Sequence, residues 1–177
     1  MFVRLVASCL SIAAIATTSL PAHADTARDA KFLNKIEGSW RGPGEIVAGK
    51  YKGTKFTCSL DGSTPAKDLG MSLKGECRVG IFSQKMEATV TRKGKTYKGS
   101  FLDGALGEGL DVTAGNVTRD RIVLTLKRKE LNGAMLARLA NDNKLNVTVS
   151  VRVGEDLVPV IGMSLNRIDN MAVGSIK

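Results

Sequence analysis

Leu145-Asn146-Val147-Thr148-Val149-Ser150-Val151-Arg152-Val153 alternates apolar and polar side chains without a break. Successive side chains of an extended chain point to opposite faces. This stretch therefore sends leucine and valine to one side and asparagine, threonine, serine and arginine to the other, the pattern of a strand that is dry on one face and wet on the other. The same period recurs upstream. Ile122, Leu124 and Leu126 alternate with Arg121, Thr125 and Lys127, and Met86, Ala88 and Val90 with Glu87, Thr89 and Thr91. Tyr97 and Phe101 alternate with Lys98 and Ser100, and Leu110, Val112 and Ala114 with Asp111 and Thr113.

Short turn signals separate these segments: Ala48-Gly49, Lys93-Gly94, Asp103-Gly104 and Gly154-Glu155-Asp156, with a longer connection from Asp61 to Gly70. Short connections join antiparallel neighbours, so a mainly β, up-and-down antiparallel meander of about eight to ten strands is expected, closing into a barrel that hides its edges. Two segments read as helix. Phe32, Leu33 and Ile36 share one side of a short N-terminal helix over Ala27 to Ile36. Leu131, Met135, Leu136, Leu139 and Ala140 recur at helical spacing, which predicts a helix inserted near 129–141.

The chain opens with Arg4, an apolar run from Leu5 to Ala16, and Pro21-Ala22-His23-Ala24. A positive start, an apolar centre and a small-x-small ending are the three parts of a secretory signal peptide, in order. The expected organisation is a signal peptide at 1–24, cleaved near Ala24, and one β-barrel domain at 25–177, periplasmic or secreted. A membrane anchor is the competing reading of the apolar run, which is shorter than the roughly 18–20 residues a spanning helix needs. Lipidation at Cys9 competes too, although that cysteine precedes most of the apolar run instead of following it.

Cleavage removes Arg4 and His23, leaving 25 basic and 17 acidic residues and no histidine. It also removes Cys9. The remaining pair, Cys58 and Cys77, sits on the apolar faces of two successive predicted strands, and an even pair in an exported chain reads most simply as one disulfide. Two buried free thiols are the alternative.

Without histidine, a Ser-His-Asp or Cys-His site lacks its proton shuttle and a zinc site lacks its usual imidazole ligands, so no metal is expected. The adjacent carboxylates Glu155 and Asp156 fall on a turn, as do or nearly do Asp61, Asp103 and Asp111. Gly104 to Gly109 is glycine-rich but precedes no helix, so it does not form a phosphate loop. These eliminations predict a non-enzymatic protein with no cofactor. The basic residues cluster in runs such as Lys50-Lys52-Lys55, and two of the runs, Arg92-Lys93-Lys95 and Lys127-Arg128-Lys129, are the candidates for a basic rim. In an exported protein such a rim is expected to meet lipid head groups or another anionic envelope component, with a merely solubilising surface as the alternative for each run, and nucleic acid is not expected.

Gly38-Ser39-Trp40-Arg41-Gly42-Pro43-Gly44 gives G-x-W-x-G-x-G where the first helix meets the first strand. This resembles the opening of calycin-type barrels: G-x-W in lipocalins, the extended form in nitrobindin-like barrels. The resemblance implies that Trp40 closes the barrel bottom and that Arg167, at the end of the last strand, packs over its ring as a structural clasp. An ordinary core tryptophan is the alternative. Nitrobindin-like proteins hold haem through histidine, which the mature chain lacks. Tyr51, Tyr97 and the methionines show no spacing that marks them as substitutes. Bacterial metalloprotease inhibitors are also similar in size, in an early G-x-W and in one disulfide.

Two functions remain. One is a binding protein that holds an apolar or amphiphilic, lipid-like small molecule inside the barrel. The other is an envelope-associated interaction protein or protease inhibitor with a filled core, acting through its basic surface. An interior of about 300 Å³ or more favours the first and a packed core the second.

Overall fold

The computed structural model describes residues 23–102 and 109–168. A single helix, α1 (His23–Asn34), precedes ten strands: β1 (Gly38–Ile46), β2 (Lys55–Ser63), β3 (Gly70–Val79), β4 (Phe82–Lys93), β5 (Thr96–Leu102), β6 (Leu110–Val117), β7 (Arg121–Arg128), β8 (Leu131–Asn141), β9 (Lys144–Val153) and β10 (Asp156–Ile168). Each strand pairs antiparallel with its neighbours in sequence, and β1 pairs with β10 to close the barrel. The closing register sets Trp40 opposite Arg167 and Gly44 opposite Met163.

Alternation decides which face is inside. In β7, Ile122, Leu124 and Leu126 are buried while Arg121, Val123, Thr125 and Lys127 are exposed. In β9, Leu145 and Val147 are buried while Lys144 and Asn146 are exposed. An apolar interior and a polar exterior are the inverse of a membrane-spanning barrel, which turns its apolar face outward. Among the described residues no helix is long and apolar enough to cross a membrane.

Register shifts interrupt three pairings among the described residues: β6–β7, β9–β10 and, between Leu139 and Asn141, β8–β9. A bulge between Val112 and Ala114 lets Val112 and Val117 both face inward, so the simple alternation through Ala114 does not persist. A second bulge lies between Pro159 and Ile161, where proline interrupts the ladder with β9.

The segment 129–141 is strand, not helix. Leu131–Asn141 forms β8, laddered to β7 through Leu124↔Met135 and to β9 through Ala137↔Val147. Gly133, Ala137 and Leu139 are buried at a spacing of two or four residues. The helical spacing arose because Leu136 and Ala140, on the outer face, are also apolar. Two flanking strands outweigh the helix propensity of leucine, methionine and alanine. Helix α1 also begins earlier than expected, at His23, and ends at Asn34.

Because consecutive strands alternate in direction, the barrel has two unlike ends. α1 covers one, together with the β2–β3, β4–β5, β6–β7 and β8–β9 connections. The other carries the β1–β2, β3–β4, β7–β8 and β9–β10 connections and, among the described residues, has no helix over it.

Candidate functional site

The helix end is sealed. Phe32, Leu33 and Ile36 are buried beneath α1 against Trp40, which is 0% exposed. The indole Nε1 donates to the Ile36 carbonyl at 2.9 Å. The Arg167 guanidinium lies 4.4 Å from the Trp40 ring centroid. It also donates to the carbonyls of Lys35 at 2.6 Å, Asp142 at 3.1 Å and Glu37. One side chain thus joins the end of β10, the chain leaving α1 and the β8–β9 turn, and satisfies carbonyls that follow a helix end. Lys35 adds an exposed bond to Asp142 at 2.6 Å; this bond, and the lysine charge, hold the Asp142 carboxyl below its ordinary range.

Asp29 of α1 is 4% exposed and is the buried charge of this end. It accepts from Tyr97 Oη at 3.0 Å, from Arg92 at 3.1 Å and from Arg28 at 3.1 Å. Burial, then the hydrogen bond to Asp29, push the Tyr97 phenol well above its ordinary pKa. No sequence signal pointed to this cluster. Asp29 lies in a polar stretch of α1, and the contacts span 63 and 68 residues of chain.

The six basic-rim candidates do not form one rim. Arg92, Lys93 and Lys95 stand at the helix end, where β4 finishes, whereas Lys127, Arg128 and Lys129 stand at the open end, where β7 finishes. The two strands run in opposite directions, which the sequence runs alone do not reveal. Arg92 is moreover committed to Asp29, with a side chain only 16% exposed. At the open end, Lys127 lies on the outer face opposite Asp111, and Arg128 continues the inward series Ile122, Leu124, Leu126 and is half-buried.

Between the two ends lies the apolar interior. Met71, Met86, Met135 and Met163 line it with Leu73, Val147 and other aliphatic residues. Its cavity is about 70 Å³, well below the roughly 300 Å³ of an ordinary small-molecule pocket. Burial along the inner face is graded. Leu60, Val90, Leu145 and Leu165 are buried near α1, Met86, Met135, Val149 and Met163 are half-buried in the middle, and Val79, Phe82 and Val153 are exposed at the mouth.

Cys58 of β2 and Cys77 of β3 are cross-strand partners at disulfide distance, 19 residues apart in sequence. Among the described residues no group of histidine, cysteine, aspartate or glutamate is arranged to hold a metal ion. The turn at Asp103 and the glycine-rich stretch Gly104 to Glu108 lie outside the described residues.

No protein-family model and no curated protein sequence matches the chain. Solved structures do. Rv2717c from M. tuberculosis is similar with a TM-score of 0.61 and 16% identity, over 79% of this chain and 97% of that one. The S-type phycobiliprotein lyase CPES from Guillardia theta is similar with a TM-score of 0.51 and 12% identity, over 81% of this chain and 97% of that one. The likeness is one of fold, a calycin-like antiparallel barrel. It also corrects one expectation. A barrel of this architecture serves a protein named as a lyase, so the inference from missing histidine to a non-enzymatic protein does not stand.

Proposed function

We propose that this calycin-like barrel binds a small apolar or amphiphilic molecule with a flexible chain, taken in through the end away from α1. The carrying observation is the graded interior: an apolar surface, sealed by α1 at one end and open at the other, with Met86, Met135 and Met163 around its middle and Met71 nearer α1. Methionine is unbranched and rotates freely, so a wall built from it re-forms around a guest more readily than one of β-branched residues. The 70 Å³ cavity then widens as these side chains turn around the guest, and Arg128 stands half-buried at the mouth through which it enters. The chain acts outside the cytoplasm, in the periplasm or beyond, after cleavage near Ala24. A cysteine pair at disulfide distance supports that compartment.

The small cavity favours a second reading, a filled-core interaction protein or protease inhibitor working through its surface. Native mass spectrometry of protein purified from the periplasm separates the two. A co-purifying lipid-like mass, or saturable uptake of a fluorescent fatty acid, is the outcome expected of a binding barrel. A clean apo mass with no uptake leaves the filled-core reading.

A further inference from the structure

Apart from Val123 and Ile168, every large apolar side chain that is exposed among the described residues lies at the open end. The most prominent occupy two connections adjacent in the sheet. In the β3–β4 hairpin, Gly80 at φ 57° makes a two-residue turn that leaves Ile81 94% and Phe82 75% exposed. In the β1–β2 connection, Tyr51 is 63% exposed. A two-residue hairpin turn ordinarily carries polar side chains. Leaving isoleucine and phenylalanine at a tip costs solubility unless something apolar receives them.

Basic residues surround these tips. Lys50, Lys52 and Lys55 flank Tyr51 with no acid between Glu45 and Asp61, and Arg78 and Lys85 flank the Ile81-Phe82 tip. Glu76 and Glu87 are the acids nearest that tip in sequence, Glu76 already engaged with Arg78 and Ser83 and Glu87 with Lys74. Aromatic and aliphatic tips ringed by lysine and arginine match a surface whose outer layer is anionic and whose next layer is hydrocarbon. The other flank of the β1–β2 connection differs: there the β9–β10 turn, next to it because β10 pairs with β1, carries Glu155 and Asp156, which an anionic surface repels.

We infer that the β1–β2 and β3–β4 tips dock the barrel on an anionic phospholipid bilayer, with Ile81 and Phe82 entering the interfacial layer, Tyr51 at the head groups, and the molecule tilted so that Glu155 and Asp156 stay away. The inference goes beyond the binding reading and is independent of what the interior holds. It does set the mouth against the bilayer.

The test is co-flotation of the purified protein, its N-terminus mapped by mass, with vesicles of phosphatidylglycerol and phosphatidylcholine or of phosphatidylcholine alone. Binding is expected on the anionic vesicles and is weakened by salt. Ile81→Ser with Phe82→Ser weakens it roughly tenfold or more. Lys50→Gln, Lys52→Gln and Lys55→Gln together weaken it by about 100-fold. These positions are exposed, so unchanged melting temperatures serve as the folding control. Fatty-acid uptake by the Ile81/Phe82 variant tests the interior separately. No vesicle binding, or binding that the tip variant leaves intact, overturns the inference; so does a concentration-dependent dimer that the tip variant abolishes, which assigns the patch to a second copy of the chain.

Discussion

At the scale of single residues, the most connected side chain is Arg167. Its ring contact with Trp40 is worth about 0.5–2 kcal/mol, and its bonds to the Lys35, Glu37 and Asp142 carbonyls join three separate pieces of chain. Arg167→Ala is expected to cost about 2–3 kcal/mol and to lower the melting temperature by roughly 5–10 °C. Arg167→Lys should recover less than half of that, because an ammonium cannot spread three directed bonds and a stacked plane as guanidinium does. If alanine and lysine behave alike and cost nothing, the arginine is a bystander and Trp40 is an ordinary core residue. Tyr97 gives a pH test. Its folded pKa is raised, so the stability it contributes is complete below the unfolded value of 10.0 and is lost as pH rises through the folded value. Thermal melts should therefore fall above about pH 10 in the native protein. In Tyr97→Phe that alkaline fall should be smaller, on a baseline about 1 kcal/mol lower from the lost bond to Asp29.

The strands show why some elements could be read in the sequence and others could not. β9 and β7 were legible because each inner position except Arg128 is aliphatic and nearly every outer one polar. β8 was not, since Leu136 and Ala140 face outward and the turn before it carries no glycine, asparagine or proline. The chain reverses instead at Lys129, with φ 51°, in the left-handed region that lysine seldom occupies. The paired strands on both sides settle the issue, and they are distant information for a local pattern. Two substitutions in β8 check the assignment. Ala137→Asp, on the buried face, is expected to cost about 3 kcal/mol or more, whereas its outward neighbour Leu136→Asp should cost less than about 1 kcal/mol. Similar losses at both positions, measured by urea denaturation, would contradict an alternating strand. The candidate basic rim failed for a related reason. Sequence gives the clustering of charge but not the direction of a strand, and Arg92 and Arg128 point into opposite ends of the same barrel.

For the molecule as a whole, the difference between its ends is what ties fold to function. The helix end concentrates side-chain bonds: Trp40 to Ile36 locally and, over long range, Arg167 across three segments and Asp29 to Tyr97 and Arg92. At the open end the inner face runs out to exposed Val79, Phe82 and Val153. A core serving stability alone gains nothing from apolar residues carried to an open rim, since those side chains leave water only when something else arrives. Filling the space separates the two readings of the interior. Ala88 lines the cavity from the middle of β4, opposite Leu73 and Phe101. If the cavity is a contracted binding site, Ala88→Leu occupies it: the melting temperature holds or rises, and fatty-acid uptake falls roughly tenfold or more. If the core is already packed, the added carbons strain it by about 1–3 kcal/mol, and neither protein takes up the probe. Melting temperature and uptake therefore move in opposite senses for a barrel that binds. For a barrel that is merely full, only the melting temperature moves, and it moves down.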